Sequence, residues 1–256
     1  MVSTAKTETP TAPSLATAIH DPEGAYRNEF AVAMPELRAL FSFVACHITD
    51  ESLGVRRDTL TALQVPFASA PANQDHIGNH RYRSLSLCPT DRPCLYSDPD
   101  HILRWFRDAP RELGTIVANT QYDCLIVGRT PAEFARTPQR LQQPERLVNS
   151  IFQVSTGIDA DLMMACRRLS PDTLQLILKA SREQTLGNDV EWPMLCHLAG
   201  LTVGGTSADG LRYETVETWL QDQTDQLDLD VDAWLTRIHF LNQHIAALQR
   251  LRKKPV

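Results

Sequence analysis

Residues 145–201 read ERLVNSIFQVSTGIDADLMMACRRLSPDTLQLILKASREQTLGNDVEWPMLCHLAGL and form the most coherent stretch of the chain. Apolar side chains recur there at helical spacing, as they do on a helix with one buried face. Gly157, Ser170-Pro171 and Gly187-Asn188 punctuate the pattern, which predicts three or four short helices. Ser170 has the chemistry of an N-cap, with Pro171 at the first helical position. The expectation is a helical core over 145–203.

Outward from this core the character changes on both sides. Upstream, 28–140 reads as a mixed α/β region. Pro35 opens an apolar run whose Leu37, Leu40, Phe41, Val44 and Ile48 share one face, predicting a helix. Arg81 to Cys88 alternates polar and apolar residues, predicting a half-buried strand. Asp98-Pro99 caps a helix that turns Ile102, Leu103, Trp105 and Phe106 toward a core. Asp123 to Gly128 is a continuous β-branched run ended by glycine, predicting a buried strand. The proline-rich segment from Arg129 to Pro144 reads as the boundary with the helical part. Residues 1–27, poor in apolar side chains and holding Pro10, Pro13 and Pro22, read as a disordered N-terminal segment.

Downstream, 211–256 reads as C-terminal helices joined to the core by the glycine-rich connector Gly204 to Gly210. A helix is expected from Glu214 to Leu220, then an acidic lead-in to a heptad helix over 231–252. Val231, Trp234, Ile238, Leu241, Ile245 and Leu248 occupy its a and d positions and are the candidate oligomerisation residues. The helix docks on its own domain, the first expectation, or pairs with a second chain. The fold class that follows is mainly α with a small mixed α/β N-terminal region, its C-terminal part a helical bundle ending in the heptad helix.

Composition narrows the function classes. At 256 residues the chain can form one large or two small domains, and 43% apolar with 22% charged residues is ordinary for a globular protein. A formal charge of −6 argues against coating nucleic acid by bulk electrostatics. No run of about 18 apolar residues exists, so no membrane helix is expected. The six cysteines are scattered, four of them in apolar runs, which reads as reduced thiols in a cytoplasmic protein.

The search for chemistry finds no phosphate-binding P-loop, no dinucleotide fingerprint and no nucleophile elbow, so no cofactor is expected and enzyme activity is disfavoured. One metal-like constellation exists, His76, His80, Cys88 and Cys94, with His101 nearby. Zinc would accept such ligands, but the usual close Cys pairs are missing. The bland reading, loop histidines and unlinked cysteines, is preferred. Arg250, Arg252, Lys253 and Lys254 form a basic tail that could touch phosphate or simply complement the helix dipole. The helix pair around Leu174 and Trp192 could be a helix-turn-helix, but its second helix offers few side chains for reading base edges.

Gly157-Ile158-Asp-Ala-Asp-Leu162, then Leu169-Ser-Pro-Asp-Thr-Leu174-Gln-Leu176 and Trp192, with Arg146-Leu147 in the preceding helix, resembles FlhD-like subunits of the flagellar transcriptional activator. It also resembles related regulators of integrating conjugative elements. The resemblance implies a dimerising helical subunit that activates transcription with a partner, the partner supplying much of the DNA contact. The leading expectation is therefore a bacterial regulatory protein acting through protein–protein contacts. The alternatives are a non-catalytic adaptor that oligomerises through its last helix, and an enzyme or zinc protein with a site in the α/β half around Asp123 to Gly128.

Overall fold

The computed structural model describes residues 12–212 and 225–252. The helix expected over 214–220, Lys253 and Lys254 lie outside the described residues. In chain order the elements are β1 (Ser14–Ile19), α1 (Arg27–Leu40), β2 (Phe43–Thr49), α2 (Asp50–Ala62), β3 (Phe67–Ala70), a 3-10 turn (Gln74–His76), α3 (Ile77–Ser86), β4 (Cys94–Tyr96), α4 (Pro99–Asp108), α5 (Pro110–Val117), β5 (Cys124–Arg129), α6 (Pro131–Ala135), α7 (Gln139–Thr156), β6 (Cys166–Leu169), α8 (Pro171–Ala180), α9 (Asn188–Leu198), β7 (Val203–Ala208), a second 3-10 turn (Gln226–Leu229) and α10 (Val231–Arg252).

All seven strands belong to one sheet in the order β3-β2-β1-β4-β6-β5-β7. β6 runs antiparallel to β4 and β5, and the other pairings are parallel. This corrects the expected fold class. The protein is not mainly helical with a small α/β appendage. The sheet crosses the boundary expected at 129–144, pairing β4 with β6 and β5 with β7. Helices laid on a two-faced sheet show the same apolar periodicity as helices of a bundle, so the pattern over 145–201 could not separate the two.

The strands themselves were hidden by their composition. β1, SLATAI, sits inside the segment read as disordered, yet Ser14, Leu15, Ala16 and Thr17 are wholly buried between β2 and β4. Its small side chains let layers approach closely on both faces. β6, CRRL, places two arginines in a buried strand. Arg167 donates from its two terminal nitrogens to the carbonyls of Cys166, Leu162 and Asp189. β7 carries the Gly204-Gly205 pair that looked like a connector, and β-pairing with β5 fixes it. Conversely, the alternating run at Arg81 is helical, within α3, and Arg81, Ser84 and Leu85 face inward at spacings of three and four. Ion pairing buries Arg81, so alternation of polarity did not report alternation of burial there.

The core lies on both faces of the sheet. One cluster joins β1, β2 and β5 to α1, α4 and α5 through Phe30, Leu37, Trp105 and Leu113. On the other, Tyr96, Leu174, Ile177 and Trp192 pack α8 and α9 against the strands. A third patch seats the C-terminal half of α10, with Leu248 and Leu251, against α7 and α9. Leu241 and Ile245 pack against the same patch, whereas Val231 and Ile238 are exposed and Trp234 donates from Nε1 to the Asp228 carbonyl.

Gly128 in β5 is required by a close approach. A Cβ there would lie 2.4 Å from Asp161 Cβ and 2.8 Å from its carbonyl oxygen. That closeness lets the Asp161 carboxylate accept from the Arg129 amide at 3.0 Å and from its guanidinium at 2.7 and 2.9 Å. Gly128→Ala should therefore lower the urea-unfolding free energy by about 1–3 kcal/mol, the cost of forcing extra volume into a filled site. An unchanged midpoint would contradict the packing.

Candidate functional site

In a sheet of this kind ligands bind beyond the carboxyl ends of the strands, where the chain direction switches sides. From β1 the chain steps outward through β2 to β3, then returns to place β4 on the other side of β1. The crevice between β1 and β4 is that switch point. A cleft of about 430 Å³ opens there, lined by His20 after β1, Thr49 at the end of β2, Asn73 after β3, and Asp98 and Asp100 after β4.

Each wall has a physical cause. Asp21 accepts from the amides of Ala25 and Tyr26 at 2.8 and 3.1 Å and pairs with the buried Arg56, which fixes the turn carrying His20 and Tyr26. Burial alone would raise the Asp21 pKa, but the Arg56 and backbone hydrogen bonds hold it below the usual carboxylate value. His20 Nδ1 lies 2.9 Å from Thr49 Oγ1. Glu51 accepts from the Ala72 amide at 3.0 and 3.2 Å, tying down the segment after β3.

Asp98 stands at the N-cap of α4, yet its side chain makes no capping hydrogen bond. Its oxygens are engaged elsewhere, one by Tyr96 OH at 2.5 Å and the other by Arg81 Nη2 at 2.7 Å. Asp100, one residue past Pro99, keeps its carboxylate about one-third exposed. His101 donates from Nδ1 to the Met164 carbonyl at 3.0 Å, which leaves Nε2 facing Asp100 Oδ2 at 3.5 Å.

A second cavity of about 200 Å³ adjoins the first, and Asp98 and Phe240 line both. Its floor is built on Asp189, at the start of α9. Arg81 Nη1 reaches both Asp189 oxygens at 2.9 and 3.0 Å, and His244 Nε2 of α10 lies 3.4 Å from Oδ2. Burial alone would raise the Asp189 pKa, but Arg81, His244 and Arg167 overcome that and hold it down at about 2. Across the cavity Arg129 donates to Glu145 Oε2 at 2.6 Å, while burial pushes the Glu145 pKa up.

The residues expected from sequence are placed differently. His76 is exposed on the 3-10 turn, His80 lines the cleft, and Cys88 and Cys94 are buried free thiols. Among the described residues no group of three or more His, Cys, Asp or Glu side chains is arranged to hold a metal by itself. Arg250 is occupied by Glu183 at 2.8 Å and Glu191 at 3.0 Å, while Arg252 is exposed at the end of α10. α9 cannot enter a DNA groove, since Val190, Trp192, Pro193, Met194 and Cys196 are buried in the body. Asp123 binds Thr202 at the N-terminal end of β5, the end of the strand away from the cleft.

Sequence reasoning missed Asp98 and Asp100 as a pair, as well as Arg81, Asp189 and His244. The Asp-Pro-Asp run directly after the apolar Cys94-Leu-Tyr96 was the available signal. Nothing local in the sequence marks the other three.

His80 Nδ1 lies 2.9 Å from His47 Nδ1 on β2, and His47 is fully buried. Burial, then the neighbouring His80, hold the His47 pKa down to about 4; burial also lowers that of His80. The unfolded chain takes up these protons near pH 6.5 and the folded chain resists them. Stability present at pH 7 should therefore be lost as the pH falls from about 6.5 toward 4, on the order of 3 kcal/mol for His47. Urea midpoints across that range check this, and His47→Gln should flatten the slope.

No protein-family model matches the chain, and no curated protein matches it either. Solved structures do. Glucosyl-3-phosphoglycerate synthase from Mycobacterium tuberculosis, in complex with Mn2+, UDP and phosphoglyceric acid, aligns with TM-score 0.58 and 12% identity over 96% of this chain and 80% of that one. The same enzyme with Mg2+ and UDP aligns with TM-score 0.56 and 12% identity over 94% and 79%. A mycobacterial protein aligns with TM-score 0.61 and 12% identity over 94% and 74%. This likeness overturns the resemblance to FlhD-like regulators and, with it, the reading of a transcriptional regulator. No helix among the described residues is long and apolar enough to cross a membrane. The chain shares the fold of these structures, a mostly parallel seven-stranded sheet covered by helices.

Proposed function

We propose that this protein binds a sugar linked to a nucleoside diphosphate and transfers the sugar to an acceptor held in the adjoining cavity. The observation that carries the reading is Asp98 and Asp100, two carboxylates one residue apart at the carboxyl end of β4, lining the cleft at the switch point. Among the solved neighbours, one holds UDP with Mn2+, one UDP with Mg2+, and one UDP-glucose with Mn2+.

The donor set fits a hard divalent cation completed by the ligand. Magnesium-like ions are commonly held by one or two carboxylates plus substrate phosphates. Asp100 offers a part-exposed carboxylate, and each Asp98 oxygen keeps a lone-pair site beyond those taken by Tyr96 and Arg81. Bound there, the cation would neutralise charge on the departing diphosphate. Tyr26, Ile77 and Phe240 give the cleft flat and apolar walls, while Thr49 and Asn73 offer hydrogen bonds to a base or ribose. Free, buried thiols at all six cysteines suit a reducing cytoplasm.

Calorimetry with UDP tests the reading. Affinity should be higher with Mn2+ than with EDTA, and Asp100→Asn should remove about tenfold of that gain. Absence of binding by UDP, by other nucleoside diphosphates and by UDP-glucose, with either cation, would sink it.

A further inference from the structure

We infer that His244 is the base that takes the proton from the acceptor hydroxyl, with Asp189 as its positioning residue; this rests on the sugar-transfer reading. Asp189 is one of the carboxylates that line the acceptor cavity. Its two oxygens are gripped by Arg81 and approached by His244 Nε2. A carboxylate held near pKa 2 is a poor proton acceptor at neutral pH, because a base works best with a pKa near the operating value.

Asp189 can instead orient its neighbour. An ionised carboxylate only accepts hydrogen bonds, so His244 Nε2 carries the ring proton. Nδ1 is then the bare nitrogen. Among the described residues no protein group bonds to it, and His244 lines the cavity while remaining only 4% exposed overall. A buried imidazole with one nitrogen fixed by a carboxylate and the other open to a cavity is the arrangement of a general base and its orienting partner.

The charged groups lining its cavity are Asp189 from α9, Arg81 from α3, Asp98 before α4, Glu145 from α7, Arg129 from β5 and Arg237 on its own helix. Glu145 is the rival base, with a pKa raised by burial. Arg129 donates to it at 2.6 Å, and that bond favours the charged form, so Glu145 gives up part of its basicity. His101 is not a rival, because its Nε2 faces Asp100 on the donor side.

In the step, the acceptor O–H proton passes to His244 Nδ1. The oxygen forms its bond to the anomeric carbon, the bond from that carbon to phosphate oxygen breaks, and the nucleoside diphosphate leaves with the electron pair. Water can serve as the acceptor.

The test uses the full chain with UDP-glucose and Mn2+, following release of UDP. Wild type should turn over faster as pH rises through the titration of a single group. His244→Asn should lower kcat about 10²-fold or more while KM and the calorimetric affinity for UDP stay unchanged. Added imidazole should restore part of the rate, which a merely structural histidine would not allow. His244→Gln serves as the second variant if the first fails to fold. Turnover by His244→Asn at the wild-type rate overturns the inference. So does loss of the pH dependence in Glu145→Gln but not in His244→Asn. A wild type that binds UDP yet releases none from UDP-glucose also overturns it, leaving the binding reading intact. Failure to bind UDP at all removes the sugar-transfer reading first.

Discussion

Arg81 holds the two halves of the site together. Its guanidinium reaches Asp98 at the end of β4 with one nitrogen and Asp189 at the start of α9 with the other. These carboxylates come from segments about ninety residues apart in the chain, and the arginine on α3 reaches both. The site is largely enclosed, with all three side chains at most about one-fifth exposed. Removing one member of such a pair leaves uncompensated charge, at a cost on the order of 3–5 kcal/mol. The positive charge of Arg81 offsets the burial of Asp189, and the same guanidinium ties Asp189 to Asp98.

The same constraint explains the division of labour between them. Asp98 is also held by Tyr96, whose ring packs edge-on against Trp192 at 5.6 Å between centroids. The core beneath the sheet therefore sets where this carboxylate points, and Asp100 stands part-exposed beside it. α10 closes the far side. Phe240 touches both cavities, and His239 and Gln243 reach Asp75 on the 3-10 turn at 2.8 and 3.1 Å. The C-terminal half of the helix is anchored by Arg250 to Glu183 and Glu191. A helix that looks in sequence like a coiled-coil seam acts in the structure as a wall.

Much of the local structure was legible, and the architecture was not. The strand at Cys124 and the helices opened by Pro99 and Pro171 follow from β-branched runs and from proline at the first helical turn. The sheet escaped because its central strands break the usual signature. β1 is built of Ser, Ala and Thr, β4 has three residues, and β6 carries two arginines. Without those three strands the remaining helices resemble a bundle, and a resemblance to a helical regulator then had nothing to contradict it. The site failed for a related reason. Arg81, Asp189 and His244 read as solvated polar residues because sequence polarity reports transfer cost, not whether a partner at long range offsets it.

Asp98 shows how one residue supports two readings. An aspartate before Pro99 is a good helix N-cap, and α4 does begin there. Capping would require its carboxylate to turn back onto the amides of the first helical turn. Arg81 and Tyr96 take both oxygens instead, so the helix starts without a side-chain cap. Forgoing a cap costs about 1 kcal/mol, while a charge-assisted hydrogen bond to a buried guanidinium contributes about 1.5–3 kcal/mol. The stronger interaction decides the orientation. It also turns the carboxylate out of the helix and into the cleft, where the proposed cation and diphosphate would meet it.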